Sequence, residues 1–201
     1  MEKRSVISDA GPNPRSTRAV ESGLLLRTWY DLNHHMEKSP SFISYFRNFI
    51  FGVEDSLVST VGLLSGIAIA NVPEKTIFLT GVVLIFVEAF SMAAGSFLSE
   101  ASAEGYATGA DAPTRSNFIS GSIMFVSYLF SGFIPLFPYL LWPVATALSF
   151  SIIFSVAALF ILGIVGARIA HTSLMKSGLR MATIGGIAIA FGLLAGKLLS
   201  S

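Results

Sequence analysis

Between residues 116 and 167 the chain contains no Asp, Glu, Lys or Arg. At about 1.5 Å rise per residue, one helix of that length would far exceed a hydrocarbon core about 30 Å thick. The segment must therefore cross a bilayer, turn, and cross back. The turn is expected at residues 135–143, PLFPYLLWP, where prolines interrupt the helix and Tyr139 and Trp142 suit a membrane interface. A soluble domain carries roughly 25% charged residues; here the figure is 12%, against 53% hydrophobic. The expected class is an all-α, polytopic integral membrane protein.

Apolar runs read as five spans, near residues 49–70, 76–98, 118–139, 143–167 and 181–199. These form a membrane domain over 48–201. Ahead of it lies a polar segment, 1–47. Its first 18 residues read as disordered, and 19–47, with Trp29, Tyr30, Phe42, Tyr45 and Phe46, fit an amphipathic helix on the membrane surface. No apolar run follows Lys3 and Arg4, so a classical signal peptide is not expected.

The basic residues set an orientation. Lys3, Arg4, Arg15, Arg18, Arg27, Lys38, Arg47, Arg115, Arg168, Lys176 and Arg180 fall on one side of the five spans; only Lys75 and Lys197 fall on the other. The positive-inside rule places the N-terminus in the cytosol and the C-terminus outside. No eukaryotic sorting signal is evident, which favours a prokaryotic plasma membrane over a vacuolar one.

Charges that interrupt apolar spans are costly and mark function. Three stand out: Glu54 and Asp55 early in the first span, and Glu88 deep in the second. Glu88 is followed at four-residue steps by Met92, Ser96, Glu100 and Glu104. Each step turns the direction by about 40°, so neighbours share a face and the set spirals toward the cytosolic end. Carboxylates suit hard or borderline divalent cations, and a thioether adds preference for softer ones. The band therefore reads either as a cation path or as lipid-facing filler that ends in a solvated helix terminus. Gly62 and Gly66 in the first span, and Gly192 and Gly196 in the last, permit close helix approach within one chain or between two.

Other chemistries find little support. The chain has no Cys, and a net charge of +1 gives no reason to expect nucleic-acid binding. There is no GxxxxGK[ST] phosphate loop and no His in any span, so nucleotide-driven transport and Ser–His hydrolysis are both disfavoured, and no enzyme is expected. Adjacent His34, His35 and Met36 do not share a helix face and read as solvated surface.

Two segments carry a family resemblance. Residues 51–66, FGVEDSLVSTVGLLSG, closely resemble the first-span signature of the vacuolar iron transporter (VIT) family, and residues 88–99, EAFSMAAGSFLS, resemble its second-span signature. Residues 132–140, GFIPLFPYL, and the stretch 184–196 are similar to its third-span ending and last span. The resemblance implies a five-helix homodimer that exports Fe2+, and often Mn2+, from the cytosol in exchange for protons. It implies that Asp55 and Met92 line the ion path together with a second-span carboxylate, a role for which Glu88 is the candidate. Departures are Ser56 where the family usually has Gly, Ser96 where a Glu often stands, and a short 99–117 connection where many members carry a Glu-rich cytosolic domain. The chain resembles the short form that lacks that domain.

The expectation is thus a divalent-cation transporter with no resident cofactor, Fe2+ or Mn2+ being its substrate. Asp55, Glu88 and Met92 would bind the ion in the membrane. Glu54, Glu100 and Glu104 would collect it at the cytosolic mouth. Two chains would pair through Gly62 and Gly66, doubling the ligand set, and proton uptake by the carboxylates would release the metal. The alternative is a non-transporting scaffold or a regulatory partner of another transporter; a scaffold has little use for a carboxylate at Glu88.

Overall fold

A computed structural model describes residues 40–70, 72–109 and 115–199. The chain divides into two units, Met1–Ile43 and Ser44–Ser201. Of the first, only residues 40–43 are described, and they are helical. The helix packing and the polar site lie within the second unit.

The helices are α1 (Pro40–Ile69), α2 (Glu74–Thr108), α3 (Arg115–Leu136), the short α4 (Pro138–Leu141), α5 (Val144–Ile169) and α6 (Leu174–Leu199). The five long ones are each long and apolar enough to cross a membrane. Helices suit that setting because every backbone N–H and C=O is satisfied within the segment. The chain is a multi-pass, all-helical membrane protein.

Several helices outrun the apolar runs that reveal them. The first extends back to Pro40 because polar residues on its early turns find partners on other helices. The second continues through SEASAEGYAT, rich in helix-forming Ala and Glu. It stops at Gly109, which adopts the left-handed conformation (φ 70°) and donates its N–H to the Gly105 carbonyl at 2.8 Å. Much of the expected 99–117 connection is therefore helix. Likewise α6 starts at Leu174, leaving a turn in which His171 takes a positive φ of 52°. The amphipathic helix expected over 19–47 lies outside the described residues as far as residue 39, as do His34, His35 and Met36.

The proline-rich turn holds one correction. Pro135 sits inside the end of α3, and Pro138 opens α4. This bend brings Tyr139 into the interior, 2% exposed, in a cluster with Leu64, Ile77, Ile85, Leu136 and Ala147. Tyr139 is a core residue and not an interface anchor. Trp142 is half-buried and packs on Phe150, ring centroids 4.8 Å apart.

α2 packs along α3, and α5 along α6. Between them, α1 is held by two kinds of contact. Toward α3, Ser56 donates to the Tyr128 carbonyl at 2.7 Å. Toward α6, the two glycine pairs face each other. A Cβ on Gly66 would stand 2.7 Å from the Gly192 carbonyl oxygen, and Cβ atoms on Gly192 and Gly196 would collide with the carbonyls of Gly62 and Gly66. The close approach that the sequence leaves open between one chain and two is made within one chain.

Candidate functional site

A tight connection between Ile69 and Glu74 makes α1 and α2 neighbours running in opposite directions. Asp55 lies fourteen residues before Ile69, and Glu88 fourteen after Glu74. At 1.5 Å per residue each is about 21 Å from the turn, so the two carboxylates stand at one level of the membrane. They are within electrostatic range of each other, and both are half-buried. Among the described residues, neither receives a hydrogen bond or an ion pair. Two like charges thus stand at one level, within electrostatic range of each other, and neither has an ion pair among the described residues.

Glu54 differs from its neighbour. Consecutive helical residues point about 100° apart. Its electrostatic partners are Arg180 on α6, of opposite sign, and Asp55. Met92 and Ser96 follow Glu88 along α2, both half-buried, and the Ser96 hydroxyl has no hydrogen-bond partner among the described residues.

Glu100 and Glu104 are already engaged. Glu100 Oε1 accepts from Ser44 Oγ and, at 2.9 Å, from Asn48 Nδ2, and lies 3.5 Å from Arg47 Nη2. Glu104 Oε2 accepts from Asn117 Nδ2 at 2.9 Å. The Tyr45 and Ser116 hydroxyls meet at 3.1 Å. These contacts tie together the ends of α1, α2 and α3 at the end that carries Arg47 and Arg115. Asn48 and Asn117 are each 4% exposed. Glu100→Ala would leave the buried Asn48 amide without this acceptor, and is expected to lower stability by about 1–3 kcal/mol in a detergent thermal melt. Arg47, with its side chain 68% exposed, is expected to cost less than about 1 kcal/mol on replacement by Ala.

The sequence reading missed several members of this arrangement: Asn48, Asn117, Arg180, and Tyr128, whose hydroxyl lies 2.8 Å from Ser59 Oγ of α1. A usable signal exists for the two asparagines, which are polar residues at the rims of apolar spans. Nothing in spacing alone connects Tyr128 to α1. Among the described residues of one chain, no three His, Cys, Asp or Glu side chains converge on one point.

No curated protein matches the chain in sequence. The VIT family does match, in two segments, residues 46–116 and 103–197. Together these take in all of α2, α3 and α5 and most of α1 and α6, with Asp55, Glu88 and the glycine contact of α1 with α6, and they overlap where α2 gives way to α3. With most of its length accounted for in this way, the chain belongs to the VIT family.

Proposed function

We propose that this protein is a membrane transporter of divalent metal cations, moving Fe2+ or Mn2+ out of the cytosol in exchange for protons. The observation that carries the reading is the Asp55–Glu88 pair. Two unpartnered carboxylates at one level inside a membrane helix bundle repel each other unless a cation or a proton lies between them. A site that alternates between those two occupants couples metal movement to proton movement. Membership of the VIT family supports membrane metal-ion transport as the broader class. The basic residues at one end of the bundle support a cytosolic N-terminus.

The test is uptake into proteoliposomes under an imposed pH gradient, with Fe2+, Mn2+, Co2+ and Zn2+ in competition. Uptake should depend on the gradient and fall in both Asp55→Ala and Met92→Ala. Wild-type rates in both variants would remove the site assignment, and no uptake at all by well-inserted protein would favour a scaffold.

A homodimer belongs to the same proposal. Two carboxylates fall short of the about six ligands that a hard divalent ion takes, and a second copy would double the set. The face of Gly62 and Gly66 is occupied by α6, so pairing falls to another helix. On α2, Ser91, Gly95 and Ser99 are exposed, and nothing lies within 4 Å of where a Gly95 Cβ would stand. Glu88, Gly95 and Ser99 project within about 40° of one another around the helix. Because the chain has no native Cys, Gly95→Cys should give a disulfide-linked dimer on mild oxidation in membranes. Gly186→Cys, on the exposed side of α6, should not. The reverse pattern would move the interface to α6.

A further inference from the structure

Four phenylalanines line a groove between α2 and α3: Phe90 and Phe97 on one side, Phe118 and Phe125 on the other. The groove has a volume of about 450 Å³. Small residues make its floor. A Cβ on Gly121 would stand 3.0 Å from the Ala93 carbonyl oxygen and 3.3 Å from Phe97 Cβ, so the two backbones meet there. Ser122 lies on the wall, but its hydroxyl is spent on the Phe118 carbonyl at 2.9 Å. The groove is therefore an apolar slot.

One end of the slot is charged. α3 begins at Arg115, which is exposed and has no ion pair among the described residues. Seven residues turn a helix by nearly two full turns, so Arg115 and Ser122 project within about 20° of each other. Arg115 thus stands at the mouth of the slot, about 4.5 Å along the axis from Phe118. Ser116 and Asn117, on the other side of the same turn, are engaged with Tyr45 of α1 and Glu104 of α2. From Phe118 to Val126 the slot runs about 12 Å along α3, within the roughly 15 Å of hydrocarbon that one leaflet contributes.

A guanidinium at the mouth and an apolar slot below it match the two ends of an anionic phospholipid. Arg115 belongs to the basic end of the bundle, which the positive-inside rule sets against the anionic headgroups of the cytosolic leaflet. A second copy of the chain fits this place less well. On α2, Phe97 projects about 180° from Glu88, so the slot faces away from the side on which a second copy would complete the carboxylate site.

We propose that the groove binds one anionic phospholipid, with its phosphate on Arg115 and an acyl chain between the phenylalanine pairs, and that this lipid braces α2 against α3. The chain fills space that no protein atom occupies and gains dispersion contacts with the rings. The inference does not depend on the transport reading.

Dioleoyl phosphatidylglycerol and dioleoyl phosphatidylcholine share their acyl chains and differ in headgroup charge. Each is titrated into the purified full-length protein in detergent, and bound lipid is counted by native mass spectrometry for wild type, Arg115→Gln, Arg168→Gln and Ser122→Trp. Wild type is expected to bind phosphatidylglycerol about fivefold tighter, the scale of one cation near a headgroup. Arg115→Gln should bind both lipids alike, at the wild-type level for phosphatidylcholine. Arg168→Gln, an exposed site on α5 outside the groove, should keep the preference. Ser122→Trp fills the slot and should weaken both lipids severalfold. Equal binding of the two lipids by wild type, or a preference that survives Arg115→Gln, would overturn the inference. Loss of the preference in Arg168→Gln would overturn it too, by showing attraction to the whole basic end. Unchanged lipid binding in Ser122→Trp would do the same, and a dimer lost in that variant would assign the groove to a second copy. Should Ser122→Trp fail to fold, Ala94→Phe fills the slot from α2 and is read in the same way.

Discussion

Asp55→Asn is expected to reduce metal uptake by about a hundredfold or more, the scale of removing one partner from a buried charge site, and to make the metal-free protein more stable. Both effects have one cause. Asp55 on α1 and Glu88 on α2 lie within electrostatic range of each other, without a hydrogen-bond donor or ion pair among the described residues. That arrangement costs stability and is repaid only when a cation arrives. The amide keeps the shape of the carboxylate and removes its charge, so the repulsion disappears. The gain is expected to be about 1 kcal/mol, because both groups are half-exposed and partly screened. Glu88→Gln should behave in the same way. The double variant should be little more stable than either single one, since the first substitution already removes the repulsion. Proteoliposome uptake and a thermal melt in metal-free detergent check both halves. A loss of stability in either single variant would show that the carboxylate is needed for structure, and wild-type uptake would show that it is not on the ion path. Sites that trade stability for activity in this manner are common in functional proteins.

Gly192→Val is expected to have the largest effect on folding. The Cβ of any residue at position 192 collides with the Gly62 carbonyl, and the neighbouring pair repeats the contact one turn on, with Gly196 against the Gly66 carbonyl. Backbone atoms cannot rotate out of the way as the end of a side chain can. Either α6 shifts outward along its contact with α1 or the pair separates. In a bilayer that contact rests on close packing, because lipid tails are as apolar as the helix faces they would replace. Overpacking of this kind costs about 1–3 kcal/mol, occasionally more, and a branched side chain belongs at the upper end. Gly186 on the same helix is the control. Nothing lies within 4 Å of its Cβ position, so Gly186→Ala should leave the melting temperature within the small range of surface substitutions. Detergent melts and the monodisperse fraction on gel filtration decide the matter. Equal behaviour of the two variants would mean that α1 and α6 are not held in close contact.

The wide reach of the sequence in this protein follows from the membrane. Hydrocarbon excludes charge and open backbone so strongly that runs of apolar residues had to be helices, and residues 116–167 had to turn back on themselves. Their count and order agree with the structure. Helix ends were less legible, because hydropathy marks where a helix meets lipid and not where its hydrogen bonding stops. Glu100, Glu104 and Asn48 lie on helix that continues past the apolar run, and they show the difference. The two glutamates read as a metal-collecting mouth or a solvated helix end, yet Glu100 accepts a hydrogen bond from Asn48 across α1 and α2.

Candidate site residues were legible one at a time and not as a constellation. Asp55 and Glu88 are visible as charges where a structural span would avoid them, but one reads as early in its span and the other as deep in the next; their common level follows only from the helix bounds. Which way each side chain turns is a matter of helix rotation. Glu54 and Asp55 are adjacent in the chain, yet Glu54 has the opposite charge of Arg180 on α6 within electrostatic range, whereas Asp55 has Glu88 on α2. Tyr128 is one aromatic among many until α3 lies against α1 and its hydroxyl meets Ser59.

What the sequence by itself determined is the class of molecule: five apolar helices, their alternation, and the few polar groups that interrupt them. Hydrophobicity is a property of each residue and survives without knowledge of neighbours. What only the tertiary structure decided is which of those groups meet. Faces turned to lipid and faces turned to other helices are equally apolar, so no pattern of hydropathy distinguishes them. The rotation and pairing of helices come instead from shape, above all from the glycines that let α1 and α6 touch.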